Sequence, residues 1–382
     1  MEKKLHFNER QKSLLSNKNS LEKLHVFNNF PVFIGATDEQ IENDVFFDMV
    51  WDICRDTGII QLRNLINPNI IYSQYHSEAT GEIWKKHHEA FCEFSKNHLG
   101  TKVIEIGGSN GVIANKLISQ NKHISKYTMI EPNPFCSSTG VLEVIKSFFD
   151  EKIVSLYSET SNTVIHSHTF EHVYEPDKFI LNISKVLDSQ GTHLFSVPNL
   201  KYYLKNKFTN TLNFEHTYYL TEEIIEYLLN KHGFELIECK YFHEHSIFYA
   251  FKKTSRNTSF KDVDCYNENK SDYLDFINHY KHELINLNKR ISNFKGQIYM
   301  FGGHIFSQFL LNNGIISERI EGILDNSTSK IGKRLYGTNK LIYSPEILSE
   351  KQNVALILKA GQYQEEIKEQ IKKININCNI WE

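Results

Sequence analysis

A glycine-rich stretch follows directly on a short apolar run, residues 103–106. This stretch consists of Gly107, Gly108, Ser109, Asn110 and Gly111. A helical pattern of apolar residues then begins at Val112. A strand, a glycine turn and a helix in this order bring the backbone close to a ligand and direct the amides of a helix N-terminus at it. The pattern therefore predicts a site for a nucleotide-like cofactor.

Two acids accompany this turn. Glu105 lies near the end of the first predicted strand, and Glu131, followed by Pro132, ends the second. A carboxylate at the end of the second strand can accept hydrogen bonds from both hydroxyls of a ribose. A dinucleotide fingerprint would need glycines where the chain has Ser109 and Val112, so a nicotinamide cofactor is disfavoured.

These residues resemble the cofactor site of class I S-adenosylmethionine-dependent methyltransferases. The resemblance implies that residues 105–111 form the cofactor loop and that Glu131 and Pro132 meet the ribose. It also implies that His168 and Thr169, where the fourth strand ends, lie beside the cofactor. S-adenosyl-L-methionine would be the cofactor and S-adenosyl-L-homocysteine its product. The alternative is a β-α-β unit whose glycines serve only close packing.

The order of the elements is also similar to that of three-domain sugar C-methyltransferases. In this resemblance Tyr75 and His76 form a tyrosine turn on the substrate side. Members of that family usually carry a small zinc module near the N-terminus, but here Cys54 has Thr57 where a second cysteine would stand. Because a tetrahedral zinc site needs four ligands, we expect the module to persist without its metal.

The candidate catalytic loop precedes a predicted helix capped by Thr221. The family has a Tyr-x-Glu-His element here. Glu215 and His216 match that element, whereas the tyrosine position holds Asn213. The resemblance implies that His216 is the base, with Glu215 orienting it or holding a substrate hydroxyl. The alternative is a surface loop with an incidental acid and histidine.

Further candidates follow from position in the predicted sheet. His172, at helical spacing after His168, is a third catalytic candidate, and Asn199 closes the fifth strand at the edge where ligands bind. Asn199 and Asn213 are therefore expected on the substrate side. His243 and His245 alternate along a predicted strand and are expected on its surface.

The predicted fold is α/β. A Rossmann-like class I methyltransferase domain is expected over residues 99–255, preceded by a small N-terminal α+β domain over 1–98. A second Rossmann-like α/β domain is expected over 271–382, after a polar linker. The resemblance implies that this domain helps to hold the nucleotide part of the substrate. Lys330, Lys333 and Arg334 are basic residues that could meet phosphates there. Within the central domain, a helix is predicted over 138–149 and a strand over 152–158.

Composition limits the function classes. The 382 residues are 40% hydrophobic and carry a formal net charge of −3, so neither nucleic acid nor an anionic membrane is indicated as a partner. Six scattered cysteines without a CxxC pair favour a reducing, cytoplasmic setting. No apolar run approaches the ~18 residues of a membrane span.

The composition favours a small substrate. The resemblance implies a methyltransferase that acts on a nucleotide-activated sugar or related polyol of surface-glycan or deoxysugar synthesis. Methylation at carbon and methylation at oxygen both stay open, because the loop tyrosine of the C-methyltransferases is missing. A non-catalytic binding protein that keeps the fold is the alternative from another class.

Overall fold

The computed structural model describes residues 7–72, 81–254 and 262–382, except for the side chain of Gln362. Strands alternate with helices through most of this length. The α/β class predicted from the sequence is confirmed.

The N-terminal part is mainly antiparallel. Its strands and helices are β1 Phe7–Glu9, β2 Leu21–Pro31, β3 Ala36–Thr37, β4 Phe46–Cys54, β5 Ile60–Leu62, β6 Asn64–Ile66, α1 Pro68–Ile71 and α2 Glu82–Ser95. Strands β2, β4 and β5 form one sheet, and β1 pairs with β6. β2 begins at Leu21, and its apolar side chains pack against the core.

A seven-stranded sheet forms the centre of the molecule. Its strands are β7 Lys102–Ile106, β8 Lys126–Glu131, β9 Leu142–Lys146, β10 Ser161–Ser167, β11 Leu187–Pro198, β12 Phe234–Phe242 and β13 Ser246–Lys253. They lie in the order β12-β13-β11-β10-β7-β8-β9. β13 is antiparallel to both neighbours, and the pairs from β11 to β9 are parallel.

Helices α3 to α7 lie in the connections between the strands of this sheet. They are α3 Val112–Gln120, α4 Glu151–Leu156, α5 Pro176–Val186, α6 Leu200–Lys205 and α7 Glu222–Lys231. The helix predicted over 138–149 and the strand predicted over 152–158 are both wrong. Leu142 and the β-branched residues after it form strand β9. The side chain of Asp150 caps the amide of Ile153 and starts α4 instead.

The C-terminal part is a second parallel sheet that follows a long helix. Its elements are α8 Tyr266–Asn293, β14 Gln297–Phe301, α9 Ile305–Asn312, β15 Ile320–Leu324, β16 Arg334–Leu335, β17 Ile342–Tyr343, β18 Val354–Ile357, α10 Gln364–Ile374 and β19 Asn379–Trp381. The strand order is β17-β15-β14-β18-β19. Helix α8 begins at Tyr266, inside the stretch that was predicted to be linker.

The three parts share one continuous core. Its buried side chains include Trp51 of β4, Phe195 of β11 and Phe309 of α9. β3 pairs with β16, and Arg334 reaches the carboxylate of Asp44 at 2.6 Å. Among the described residues, no helix is both long enough and apolar enough to cross a membrane.

Candidate active site

The glycine turn after β7 requires an unusual backbone. Gly107, Ser109 and Gly111 have φ angles of +76°, +47° and +72°. A Cβ on Gly107 would lie 2.6 Å from the side-chain oxygen of Thr169, where β10 has ended. The absence of a side chain at Gly107 therefore lets the turn pass close to the end of β10.

Glu131, at the end of β8, holds the turn from its other side. Its carboxylate accepts hydrogen bonds from the backbone amides of Ser109 at 3.1 Å and Asn133 at 2.9 Å. A carboxylate has lone pairs beyond these two bonds. Glu131 and Pro132 both line a cavity beside the turn, so the geometry leaves this acid available to a ligand there.

Glu105 has a different position from the cofactor contact that was predicted. It is buried beneath the turn, and its carboxylate accepts a hydrogen bond from the hydroxyl of Tyr127 at 2.9 Å. Burial raises the pKa of Glu105 to about 7. A Cβ on Gly108 would lie 2.3 Å from the sulfur of Met129 and 3.0 Å from the carboxyl carbon of Glu105. Glu105 thus supports the turn from below.

The turn contributes only some of its residues to the cavity. Gly107 and Ser109 line it. The side-chain oxygen of Asn110 accepts a hydrogen bond from Val112 at 3.3 Å and so serves the start of α3. Gly111 adopts the left-handed conformation at the N-cap of that helix.

The cavity has a volume of about 1550 Å³. A pocket for one small ligand typically measures 300–1,000 Å³, so this volume has room for a cofactor and an acceptor together. Ser109 and Glu131 line one part of it, and His172 and Glu215 line another. Arg10 and Tyr72, from the N-terminal part, also line it. The predicted substrate residues Tyr75 and His76 lie outside the described residues.

Two acids and two histidines meet beside this cavity. We call Glu171, His172, Glu215 and His216 the acid–histidine cluster. His172 lies 3.8 Å from Glu215 through Nδ1 and 3.9 Å from Glu171 through Nε2. The rings of His172 and His216 are 5.0 Å apart between centroids. The structure thus brings together all three residues predicted to be catalytic, and adds Glu171.

Backbone contacts of the loop position this cluster. The amide of Thr217 donates to the carbonyl of Glu171 at 3.0 Å, and the hydroxyl of Tyr218 donates to the carbonyl of Phe170 at 2.6 Å. The carbonyl of Thr217 accepts a hydrogen bond from the buried guanidinium of Arg10 at 2.6 Å. The loop with His216 is therefore fixed against the turn with His172.

Asn213 has a structural role in place of the predicted substrate contact. Its side-chain oxygen accepts hydrogen bonds from the amides of Glu215 at 2.9 Å and His216 at 2.7 Å. Its side-chain nitrogen donates to the carbonyl of Asn210 at 3.2 Å, and the residue is 5% exposed. An asparagine side chain often stabilises a turn by accepting hydrogen bonds from backbone amides two and three residues ahead. The alignment of Asn213 with the family's tyrosine did not suggest this role.

The electrostatics of the cluster favour a carboxylate beside neutral imidazole. Burial alone would raise the pKa of Glu171, but the facing imidazoles of His168, His172 and His216 lower it to about 2. Burial lowers the pKa of His216 to about 4, with a further contribution from His172. At neutral pH the ring of His216 is therefore uncharged and has a free lone pair.

A second histidine group lies beside the first. His87, His168 and His245 offer ring nitrogens that all lie within 4.8 Å of one another. His168 has a φ of +49° and bonds the hydroxyl of Ser246 at 2.9 Å. The predicted surface position of His245 is wrong. It lies in the turn between β12 and β13 and is 3% exposed, because that turn folds back over α2.

Asn199 also differs from its prediction. Its side-chain oxygen accepts a hydrogen bond from Tyr202 at 3.2 Å and caps α6, so that oxygen serves the helix. Thr169, by contrast, lines the cavity as expected and donates weakly to the carbonyl of Ile106 at 3.3 Å.

Three basic residues predicted to meet phosphates have partners within the protein. Lys330 pairs with Asp325 at 3.1 Å, Lys333 with Asp38 at 3.2 Å, and Arg334 with Asp44 at 2.6 Å. The thiol of Cys54 lies 3.2 Å from the hydroxyl of Ser20. This thiol is buried within the N-terminal sheet.

Arg10 and Glu171 lie at the site but were not predicted from the sequence. Arg10 stands alone in a polar lead-in, and its buried contacts, to residues more than fifty positions away, leave no local pattern. Glu171 could have been predicted, because it directly precedes His172 just after the end of a predicted strand.

Two family models match this chain. One, described as "Methyltransferase domain", matches residues 75–239. The other, described as "C-methyltransferase C-terminal domain", matches residues 246–379. The first contains the glycine turn, Glu131 and the acid–histidine cluster, and the second contains the C-terminal sheet. S-adenosylmethionine is the cofactor that these matches indicate.

Curated relatives match over a much smaller part. The arginine–tRNA ligase of Helicobacter acinonychis (strain Sheeba) is 27% identical over 120 residues, and that of Helicobacter pylori (strain P12) is 26% identical over 120 residues. Each match covers 31% of this chain and 20% of the ligase. The chain thus spans about a fifth of the length of these relatives.

Solved structures are similar over less than half of the chain. An S-adenosylmethionine-dependent methyltransferase from Mesorhizobium loti has a TM-score of 0.36 and 10% identity, covering 45% of this chain and 99% of its own. A 1,6-didemethyltoxoflavin-N1-methyltransferase from Burkholderia thailandensis, with bound S-adenosylhomocysteine, has a TM-score of 0.35 and 13% identity, covering 46% and 82%. Likenesses at this level do not inform on activity.

Proposed function

Because the chain belongs to the class I S-adenosylmethionine-dependent methyltransferases, we propose that it methylates a sugar, as its nucleotide-activated form or a related small polyol. Surface-glycan or deoxysugar synthesis in the cytoplasm is the proposed setting. Glu131, with the turn at Gly107 and Ser109, would hold the cofactor.

The observation that carries the proposal is that one cavity serves both halves of the reaction. Glu131 lines it on the side of the glycine turn, and the acid–histidine cluster lines it through His172 and Glu215. A cofactor whose ribose meets Glu131 would have its sulfonium methyl in the same cavity as the acceptor. Binding both molecules in one cavity supplies the proximity that methyl transfer requires.

The transfer needs a proton acceptor. The methyl carbon forms a bond to the acceptor atom while its bond to sulfur breaks, and the electron pair of that bond stays on the sulfur. The acceptor loses one proton to the protein. Glu215 and His172 line the cavity, whereas Nδ1 of His216 is buried. We therefore propose that Glu215 or His172 receives the proton and that His216 supports them from behind.

The site of methylation is proposed to be carbon. The C-terminal match to a C-methyltransferase domain supports this choice. Methylation of oxygen is the second candidate, because Asn213 replaces the loop tyrosine and its amide is engaged in holding the loop. Oxygen transfer needs only a hydroxyl and a base.

The C-terminal part is proposed to contribute to the substrate site. Burial lowers the pKa of His304, at the start of α9, to about 4, and the charges of Lys330, Asp325 and Glu215 also influence it. A turn of the C-terminal sheet therefore lies within electrostatic range of the acid–histidine cluster. This position is suited to contact with the distal part of an extended acceptor such as a nucleotide sugar.

The experiment is a transfer assay with isotope-labelled S-adenosylmethionine and a panel of nucleotide sugars with and without a keto group. We expect one labelled product, whose label NMR assigns to carbon or oxygen. Because an amide cannot take the proton, loss of transfer in Glu215→Gln would assign the proton to Glu215, and retained transfer would assign it to His172. Glu93→Gln is the control, because its carboxylate is 70% exposed and pairs with Lys96. Cofactor binding without transfer to any acceptor would favour the non-catalytic binding protein.

A further inference from the structure

Several buried polar atoms of the acid–histidine cluster have no hydrogen-bond partner among the residues that the structure describes. They are both carboxylate oxygens of Glu171 and the Nδ1 atoms of His172 and His216. The Glu171 side chain is only 1% exposed. The shortest ion-pair contact of its carboxylate joins Oε1 to Nδ1 of His168 at 3.5 Å. A buried carboxylate whose imidazole contacts are as long as 3.5 and 3.9 Å is costly and requires an explanation.

Three residues of this cluster also offer potential metal-ligand atoms that lie close together. Glu171, His172 and His216 each offer one oxygen or nitrogen, and these three atoms lie within 4.8 Å of one another. Two imidazoles and one carboxylate form a ligand set suited to divalent transition metals such as iron, manganese or zinc. The ligands come from two loops that the Thr217-to-Glu171 backbone hydrogen bond holds together at 3.0 Å.

We propose that Glu171, His172 and His216 bind one divalent transition-metal cation at the edge of the cavity. Three protein ligands leave further coordination positions open, as catalytic metal sites require. His172 is 20% exposed and lines the cavity, so the open positions face the space proposed for the acceptor. The ion would satisfy the buried charge of Glu171 directly.

The role of the ion rests on the proposed function and makes it more specific. The ion would take an oxygen of the acceptor as a ligand, either a hydroxyl or the carbonyl beside the reacting carbon. A cation in that position lowers the pKa of a bound hydroxyl and stabilises an enolate. With His172 engaged as a ligand, Glu215 would receive the proton. A carboxylate is a weak base, and this activation makes it sufficient. The acceptor is therefore expected to carry a hydroxyl or carbonyl oxygen at or beside the reacting atom.

The second histidine group is a weaker candidate for the same ion. His87 bonds the hydroxyl of Ser196 at 3.2 Å, and His168 and His245 share the hydroxyl of Ser246 at 2.9 and 2.6 Å. One ring nitrogen of each of these histidines is thus already engaged. Moreover, the group itself contains no carboxylate that would offset the charge of a divalent ion.

The test is a titration of the chelator-treated full-length protein with Mn²⁺ and, separately, Zn²⁺, without cofactor or acceptor. Free Mn²⁺ is followed by electron paramagnetic resonance and Zn²⁺ by calorimetry. We expect one ion per chain. Glu171→Gln and His216→Asn should each weaken binding about 100-fold or more, because each removes a direct ligand. Glu93→Gln and His245→Asn should leave the affinity unchanged.

Two results would overturn the proposal. One is a folded wild-type protein that binds neither ion. The other is binding that survives Glu171→Gln but disappears in His245→Asn, which would assign the ion to the second histidine group. If Glu171→Gln does not fold, the wild-type protein is loaded with Cu²⁺, and pulsed electron paramagnetic resonance counts the imidazoles bound to the copper. Two coordinated imidazoles would support the proposal, and three would contradict it. Binding of S-adenosylhomocysteine, measured separately, distinguishes this failure from failure of the proposed function.

Discussion

The side-chain oxygen of Asn213 accepts a hydrogen bond from the backbone amide of His216 at 2.7 Å. The amide of Glu215 donates to the same oxygen at 2.9 Å. A single buried amide group thus sets the direction of the loop that carries two of the proposed catalytic residues. Asn213 acts through that loop and is a positioning residue.

Replacing Asn213 should therefore affect turnover more than cofactor binding. Asn213→Ala removes the acceptor of both loop amides, and misplacement of reacting groups by about 1 Å can lower a rate about 100-fold. We expect kcat for methyl transfer to fall by about that factor. The affinity for S-adenosylhomocysteine, measured by calorimetry, should change less than about threefold. Asn213→Asp keeps an accepting oxygen and should recover most of the rate. Equal losses in both variants would contradict the positioning role.

Glu105 should prove to be a support of the cofactor loop that reduces stability at alkaline pH. Its pKa is raised by burial to about 7, above the ordinary value of 4.5. The folded protein therefore binds this proton more tightly than the unfolded chain, and stability is lost as the pH rises from 4.5 through 7. Glu105→Gln should raise the free energy of unfolding at pH 8 by about 1–2 kcal/mol and change it less at pH 5. Urea unfolding at both pH values measures this difference.

The same variant separates the two acids of the cofactor site. The amide of Glu105→Gln can still accept the hydrogen bond from Tyr127, so the affinity for S-adenosylhomocysteine should stay within about threefold of the wild type. A loss of cofactor affinity comparable to that expected for Glu131→Ala would instead support the direct cofactor contact that the sequence predicted.

Gly107 should not tolerate a methyl group. Its φ of +76° is unfavourable for alanine, and the new Cβ would lie 2.6 Å from the oxygen of Thr169. We expect Gly107→Ala to destabilise the fold by about 1–3 kcal/mol and to weaken cofactor binding. Gly107→Ala with Thr169→Ala removes the clash but keeps the backbone strain, so it should recover part of the stability. No recovery in thermal unfolding would argue that the strain alone is responsible.

Buried histidines should make the protein sensitive to mild acid. Burial lowers the pKa of His166 and His245 to about 3 and that of His88 to about 4. The unfolded chain takes up these protons near pH 6.5, so stability is full above that value and declines as the pH falls toward 4. Glu105 has the opposite effect, but it contributes a single proton.

Urea unfolding between pH 7.5 and pH 5 measures this decline. Each additional proton bound by the unfolded chain contributes a slope of about 1.4 kcal/mol per pH unit. A free energy of unfolding that is constant or rises toward pH 5 would contradict the neutral, buried state of these histidines.

Local patterns were sufficient to predict the strand, the glycine turn and the acid of the proposed cofactor site. The strand at Ile106, the turn at Gly107 and the acid at Glu131 are close in sequence, and their chemistry is determined by spacing. Glu105 was misassigned because the sequence of a strand end does not show whether a side chain points up to the cavity or down into the core. Only packing against Tyr127 and Met129 decides this.

The acceptor half depends on contacts between distant residues. Glu171 and His216 are 45 positions apart and meet because Thr217 bonds the backbone of Glu171. Arg10 joins the same loop from the other end of the chain. His245 is buried by the packing of a hairpin turn against α2, which alternation along a strand could not reveal. Tertiary packing determines these positions, and a single sequence records it only weakly.

The most direct test of the central claim is a calorimetric titration of the full-length protein with S-adenosylhomocysteine, repeated on Glu131→Ala. We expect micromolar binding that weakens by ~2 kcal/mol when the carboxylate proposed to face the ribose, a charged hydrogen-bond acceptor, is lost. Glu143→Ala, on the neighbouring strand with its carboxylate paired to Lys126 at 3.0 Å, should bind like the wild type. Absence of binding by the intact protein would contradict the assignment of the cavity to this cofactor.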